Sequence, residues 1–312
     1  MAYAGTDPSP VLARGIDENM FLERPNITLL SDVLFHTGTA TGRYKIAQQW
    51  VTPGRPTTRE PMEAVSPGEW GPSHKGIWRV VNWGMEFSFA LEDLDDDPYG
   101  IMTRMVPLQG GAAAHEFAVN EEIVSMQLLS DNITDSAGLN TIDGTGLCSA
   151  YHPRVPGSTT YYDNSMSATG DPDVASMDAA RTKLKLQQSP NGNEFYMTAP
   201  KYLLCHDSME RVNYMLWNST YDPFTNDRNE DFLKKYNVKV ITSPYFQTAG
   251  NASTNAGWLL IGDRHYLHKD TRKAPKASSE TNQHVQAVIV VITHRWMAYW
   301  TDWHGTVGTQ GP

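Results

Sequence analysis

The sequence predicts an α+β fold, on three observations. Between Trp83 and Asn132 the chain reads as a strand followed by one long helix, because Met85, Phe87 and Phe89 alternate with Glu86, Ser88 and Ala90 before a helical run opens. Residues 43–80 read as two strands on either side of a tip that carries Pro53, Pro56, Pro61, Pro67 and Pro72. The chain then closes on apolar strands within HVQAVIVVITHRWMAYWTDW, after a stretch in which short helices and strands mix.

Taken in order, residues 1–42 form an arm. Their apolar residues come in short runs, Met20-Phe21-Leu22 and Val33-Leu34-Phe35, too few to form a core, so order must come from lying on another surface. Residues 43–80 form an extended loop, a two-stranded projection of a kind that is marginal alone in water and therefore wants a partner. Residues 81–137 hold the strand and the long helix. Asp97 directly before Pro98 is helix-start chemistry, with the carboxylate as N-cap and the proline where a missing N–H costs nothing. Pro107 and Gly110-Gly111 then predict either a bend or a close approach to a neighbouring backbone. At about 100° per residue, Phe117, Val124 and Leu128 fall on one side of this helix and Val119, Ile123 and Met126 nearly opposite. The helix is thus either sunk in a core or clasped between a sheet and another chain.

Residues 138–285 are a second domain. Asp171-Pro172 repeats the helix-start pair ahead of VASMDAARTKLKLQQ, Lys201 to Cys205 is a short strand, Asp207 with Glu210 opens a further helix, and NVKVITSPYF and GWLLIG are strands. HKDTRKAPKASSETNQ is predicted to be a polar loop, with Lys269, Arg272, Lys273 and Lys276 solvated. Residues 286–312 return to pair beside the long helix.

Composition narrows the function. A net charge of −10 and a pI near 5.4 argue against a protein that coats nucleic acid, which needs a surplus of Lys and Arg. Two cysteines, Cys148 and Cys205, make neither a disulfide framework nor a CxxC metal site. With no basic-then-apolar leader and no apolar run long enough to span a bilayer, a soluble protein made in the cytoplasm is expected.

No catalytic constellation is complete. His115-Glu116 begins like a zincin helix, but Val119 stands where the second histidine belongs. Cys148 lies near Asp143 and His152, and Cys205 precedes His206 and Asp207; a thiol nucleophile needs its base placed in space, and small buried thiols are the expectation. Gly144 and Gly146 lack the third glycine and following helix of a phosphate loop and predict a turn. The run Glu92, Asp93, Asp95, Asp96, Asp97 favours a helix entry, with a divalent cation as the other use of such oxygens. We therefore assign no catalytic, cofactor or metal residues.

The order of segments resembles the major capsid proteins of tailed bacteriophages and prophages, in particular the Mu-like head subunits. The resemblance is carried by RVVNWGMEFSFALEDLDDDPYG before the long helix, then GLCSAYHP, AARTKLKLQQSPNGNEFYMTAPKYLL, VKVITSPYF, GWLLIGD and DWHGTVGTQGP. It departs from the pattern at Gly110-Gly111 and at Cys205-His206. It implies the tailed-phage capsid fold: arm at 1–42, extended loop at 43–80, peripheral domain with a spine helix at 81–137, axial domain at 138–285, and closing peripheral strands at 286–312. It also implies no enzyme and no cofactor. The subunit would form pentamers and hexamers of an icosahedral virion shell assembled in the host cytoplasm. Its partners would be portal, scaffolding and cement proteins, and packaged DNA met by non-specific proximity. A built-in scaffolding segment is not expected. The rivals from other classes are an intracellular α/β enzyme with a thiol near Cys148 and a polymer-binding module using the nine tryptophans.

Overall fold

The computed structural model describes residues 14–18, 28–51, 56, 58–62, 64–65, 70–96, 101–131, 133, 141–166, 172–190, 192, 195–221, 232–246 and 257–309. The Asp97-Pro98 helix start and Asp171 lie outside them. The chain divides into two units: 1–45, 79–124 and 269–298 in the first, and 46–78, 125–268 and 299–312 in the second.

The first unit is built on a four-stranded sheet, in the order β1 (His36–Thr39), β10 (Leu267–Asn282), β11 (Ala287–Trp300), β4 (Val81–Ala90). Strands β4 and β11 run antiparallel from Ala90 opposite Ala287 to Val81 opposite Trp296. The alternation read in the sequence places Trp83, Met85, Phe87 and Phe89 against a core of Val288, Val290, Ile292, Ala113, Ala114, Phe117 and Ile16.

Strand β10 stands where the sequence predicts a polar loop. Its lysines, serines and Pro275 have low strand propensity, and the pairing with β11 overrides it. Arg272, Lys273 and Lys276 are exposed as expected, but Lys269 is buried.

The long helix is continuous from Ile101 to Asp131. Among its described side chains the buried positions are 110, 113, 114, 117, 118, 121, 122, 125, 126, 129 and 130, one stripe at helical spacing. That stripe contains Gly110, three alanines, Glu121, Glu122 and Ser125. Hydrophobicity alone could not see it, which is why the larger apolar residues pointed to two opposite sides; Val119, Ile123, Val124 and Leu128 are only half-buried.

Gly110 has a specific reason. A Cβ there would run into the backbone carbonyl of Ile16, so of the two uses left open for this glycine the structure shows the close approach. Gly110→Ala should push residues 14–18 off the helix and cost about 1–3 kcal/mol, the usual price of overpacking. Denaturant unfolding of the folded variant measures it. Unchanged stability would mean that Ile16 is not held at this position.

The second unit has its own four-stranded sheet, β12 (Thr306–Thr309), β9 (Trp258–Gly262), β7 (Pro200–Cys205), β8 (Lys239–Thr242). Strand β7 is parallel to β8 and antiparallel to β9, which pairs antiparallel with β12. The helices Val174–Lys185 and Glu210–Asn218 supply Met177, Ala180, Leu184, Leu216 and Trp217 to the core over this sheet. The first of them is capped by Asp173: its side chain accepts the Ser176 N–H at 2.7 Å, and Ser176 Oγ accepts the Asp173 N–H at 3.1 Å. Two two-stranded ribbons complete the unit, β2 (Tyr44–Val51) with β3 (Gly71–Arg79), and β5 (His152–Pro153) with β6 (Tyr161–Tyr162).

Candidate functional site

The residues that the sequence offered for chemistry do not assemble into a reactive centre. Cys148 and Cys205 are both buried and free. Burial pushes the Cys148 thiol well above its ordinary range and that of Cys205 up to about 12, the reverse of what a nucleophile needs. His206 does not serve Cys205; its Nδ1 accepts the Ser208 N–H at 3.2 Å and caps the turn before Glu210–Asn218. His115 and Glu116 are exposed on the long helix. Glu92, Asp93 and Asp96 are exposed along and just after the short helix Leu91–Asp95. Among the described residues no group of His, Cys, Asp and Glu could hold a metal. Gly144 sits at φ +86° in a turn closed by its own N–H to the Thr141 carbonyl, 3.0 Å.

What the structure does bring together, in the second unit, is a buried polar knot around Trp303. Asn164 is oriented by donating Nδ2 to the carbonyls of Leu147, 2.9 Å, and Thr306, 3.1 Å, while its Oδ1 accepts the Ser149 N–H at 2.8 Å. That oxygen also faces His152 Nε2 at 2.9 Å, so Nε2 must carry a hydrogen. The other nitrogen, Nδ1, lies 2.7 Å from Asp143 Oδ2 and must donate as well. His152 is fully buried, with Asp143 and the Thr145 hydroxyl, 2.7 Å away, on its Nδ1 side and Asn164 on its Nε2 side, and it pairs with a buried carboxylate.

Burial works to raise Asp143, but the His152 hydrogen bond and charge, with donors from Thr141 and Thr145, outweigh it and hold the carboxyl down at about 2. His304 repeats the pattern: Nδ1 is 2.6 Å from Asp302 Oδ1 and Nε2 is 2.8 Å from the Gln188 carbonyl. Burial works to lower its affinity for a proton, and the charge and hydrogen bond of Asp302 overcome this and raise it. Both imidazole rings stack on Trp303, at 4.4 Å for His152 and 3.9 Å for His304. Gln187 secures the same place, donating to the Thr306 carbonyl at 2.8 Å and accepting the Gly305 N–H at 2.7 Å.

A second cluster, in the first unit, centres on Lys269. Its ammonium pairs with Asp32 and, at 3.4 Å, with Glu121, and donates to Ser31 Oγ at 3.2 Å; Glu122 accepts the Ser31 N–H at 3.0 Å. These contacts tie the short helix Leu30–Leu34 to the long helix and to β10. Burial raises the Glu122 carboxyl above its ordinary value.

The ribbon β2–β3 has the opposite character. Trp78 is buried against Tyr299 with rings 5.2 Å apart, and His74 Nε2 lies 3.3 Å from the Pro153 carbonyl. Elsewhere it shows apolar side chains to solvent: Ile46 is 58% exposed, Trp50 51%, Trp70 71% and Ile77 59%. Trp50 and Trp70 lie 5.8 Å apart. A monomeric soluble protein rarely leaves such a row uncovered.

A sequence profile described as phage capsid protein matches residues 76–307. The chain belongs to the phage capsid protein family. No curated protein matches it. Among solved structures, this capsid protein is similar to a chain of Microbacterium phage Oxtober96, at TM-score 0.52 and 9% identity over 92% of both chains. It is similar to the capsid of an empty GTA particle, at 0.53 and 12% over 89% of this chain and 88% of the other. A third likeness is to the capsid of Myoviridae phage XM1, at 0.53 and 10% over 92% of this chain and 93% of that one. At these identities the structural likenesses speak of fold, and the fold is that of tailed-phage capsids.

In the capsid protein the residues that sequence reasoning missed are Asn164, Gln187, Asp302 and His304, together with the Lys269 pairing. Asp302-Trp303-His304 stands in the quoted terminal segment, yet nothing in a string of residues shows that Gln188 and Asp143 come to meet it. Among the described residues no helix is long and apolar enough to cross a membrane.

Proposed function

We propose that the chain is the major head subunit, which assembles with copies of itself into the pentamers and hexamers of an icosahedral shell around double-stranded DNA. The observation that carries this is the family match over residues 76–307, joined by an exposed apolar ribbon that a single chain leaves uncovered. Repeated heterologous contacts close into rings when the rotation permits, which suits a subunit whose ribbon belongs on its neighbour. In this reading residues 1–42 are the arm, 43–80 the extended loop, 81–137 and 286–312 the peripheral domain and 138–285 the axial domain, except that β10 pairs in the sheet of the first unit and β12 in the sheet of the second. The Mu-like branch is the place we give it within the family. Its partners are portal, scaffolding and cement proteins, and DNA met without sequence reading; assembly takes place in the host cytoplasm. It turns over no substrate.

Electron microscopy of the purified chain tests the reading. Shells of megadalton mass are expected, and Cys148→Ser with Cys205→Ser should form them too, since neither thiol is ionised. A small monodisperse species whose activity is lost in that double variant would replace the shell by the thiol enzyme.

A further inference from the structure

The buried ammonium of the first unit faces more acid than it can neutralise. Around Lys269 stand Asp32 from the helix Leu30–Leu34 and Glu121 and Glu122 from the long helix. Asp32 sits at the rim, its carboxylate half exposed, and pairs with the ammonium. Glu121 is buried, with Lys269 at 3.4 Å from Oε2 and His294 Nδ1 of β11 at 3.4 Å from Oε1. Asp270, the next residue of β10, is taken by Lys45 at 3.4 Å. Glu122 is the acid left over, with no cation in contact among the described residues. It is 8% exposed; Oε2 accepts the Ser31 N–H at 3.0 Å, and Oε1 is buried without a hydrogen-bond partner.

A buried carboxylate that touches no cation keeps its charge at a high cost, and a neutral carboxyl is the cheaper occupant of such a place. The proton would sit on Oε1, while Oε2 goes on accepting from Ser31 as a carbonyl oxygen. Burial accordingly raises the Glu122 carboxyl above its ordinary 4.5; the hydrogen bonds of Ser31 and the charge of Lys269 oppose the rise, and the charge of Asp32 adds to it. Ser31 and Asp32 both belong to the helix Leu30–Leu34, so what Glu122 experiences depends on where that helix lies.

We propose that Glu122 is a proton-operated latch for the helix Leu30–Leu34: the helix is seated on the long helix while Glu122 holds a proton and is loosened from it as that proton leaves. Lys269 is the fixed part of the latch, since it grips the same helix through Asp32 and Ser31 Oγ. Seating and proton binding are linked. Lifting the helix takes Ser31 and Asp32 away from Glu122 and admits water, which returns the carboxyl toward 4.5, so the seated state holds the proton more tightly than the lifted one. The contribution of Glu122 to seating is therefore complete below about 4.5 and is lost as the pH rises through the raised value. The device is local, because the sheet core of Val288, Val290 and Ile292 contains none of these groups.

Hydrogen exchange of the full chain tests this, read by mass spectrometry between pH 5 and 8 and corrected for the intrinsic pH dependence of amide exchange. In wild type the segment holding residues 30–34 should lose at least tenfold of its protection across that range, while the segment holding Val290 and Ile292 keeps its own. Glu122→Gln, which is neutral throughout and still offers Ser31 an oxygen, should keep the helix protected at the level wild type shows at pH 5. Lys269→Met should lower that protection at least tenfold at pH 5. If this variant does not fold, Asp32→Asn at the exposed rim takes its place and should lower it at least threefold. Protection of residues 30–34 that does not change with pH in wild type would overturn the latch. The same pH slope in Glu122→Gln as in wild type would put the proton elsewhere and overturn it equally. Loss at Val290 in step with loss at Ser31 would mean that the unit opens as a whole, which rules out a local device, and full protection in the folded Lys269 variant would remove Lys269 from it.

Discussion

His152→Leu should cost about 3–5 kcal/mol at neutral pH, because it leaves the Asp143 carboxylate buried with its counter-charge gone. Leucine has a similar volume, so the loss is electrostatic more than a matter of packing. Asp143→Asn with His152→Leu should recover part of it, since the pair is then removed together. The pH dependence gives the sign. Asp143 is held at about 2, below its ordinary value of 3.8, so its contribution is present above pH 3.8 and lost as the pH falls through 3.8 toward 2. A shift of that size is worth about 2 kcal/mol. The gap between wild type and His152→Leu should therefore narrow in acid. His304 works the other way. Its raised value means that its contribution is complete below about 6.5 and is lost as the pH climbs through the raised value. Urea unfolding of unassembled subunits from pH 2 to 9 reads all of this. A gap that does not change with pH would mean that Asp143 and His152 are not an ion pair.

Deletion of residues 54–73 should abolish or strongly reduce shell formation while both units keep their folds. The tip and the exposed Trp70 go, whereas His74 and Trp78, which fasten β3 beside Pro153 and Tyr299, remain. The buried aromatic on one side of the ribbon and the exposed aromatics on the other divide the labour: the first holds the root, the second is available to a partner. Aromatic residues dominate association energies where they become fully covered, so removing Trp70 and leaving Trp50 without its neighbour should cost at least tenfold in particle yield. Circular dichroism should be unaltered apart from the lost strand. Normal shells of normal thermal stability would show that the tip makes no contact between subunits.

How far the sequence could be read depended on what kind of pattern each element carries. Strand β4 was legible because Met85, Phe87 and Phe89 alternate, and β7 and β9 because they are short apolar runs bounded by turn residues. The long helix was legible as a helix but not as to its face. Glu121, Glu122 and Ser125 lie along the buried stripe though hydrophobicity marks them as surface, and Ala113 and Ala114 are too small to weigh in an apolar pattern. Strand β10 was hidden for a related reason: Lys269 and Asp270 look solvated until Asp32, Glu121 and Lys45 are seen to neutralise them. The knot around Trp303 was the least legible part, since its hydrogen bonds join Asn164 to Thr306 and Gln188 to His304 across long stretches of chain. Gly110 stands out in the sequence, and the position of Ile16 decides which of its two uses applies.

The pairing of β4 with β11 sets an order of events during synthesis. Ala90 lies opposite Ala287, so the sheet of the first unit joins strands made almost two hundred residues apart. At about 5–20 residues per second a ribosome needs roughly 10–40 s to cover that interval. Throughout it β4 has emerged, apolar on alternate positions, with no β11 to pair with. Strands β7, β8 and β9 lie within residues 200–262 and have each other, so their sheet can form while the first is still open. Non-local pairing of this kind slows folding and leaves apolar surface uncovered in the meantime. A released chain truncated after residue 285 should accordingly protect the amides of β7 and leave those of β4 in rapid exchange, and it is while β11 is missing that a chaperone would find the chain.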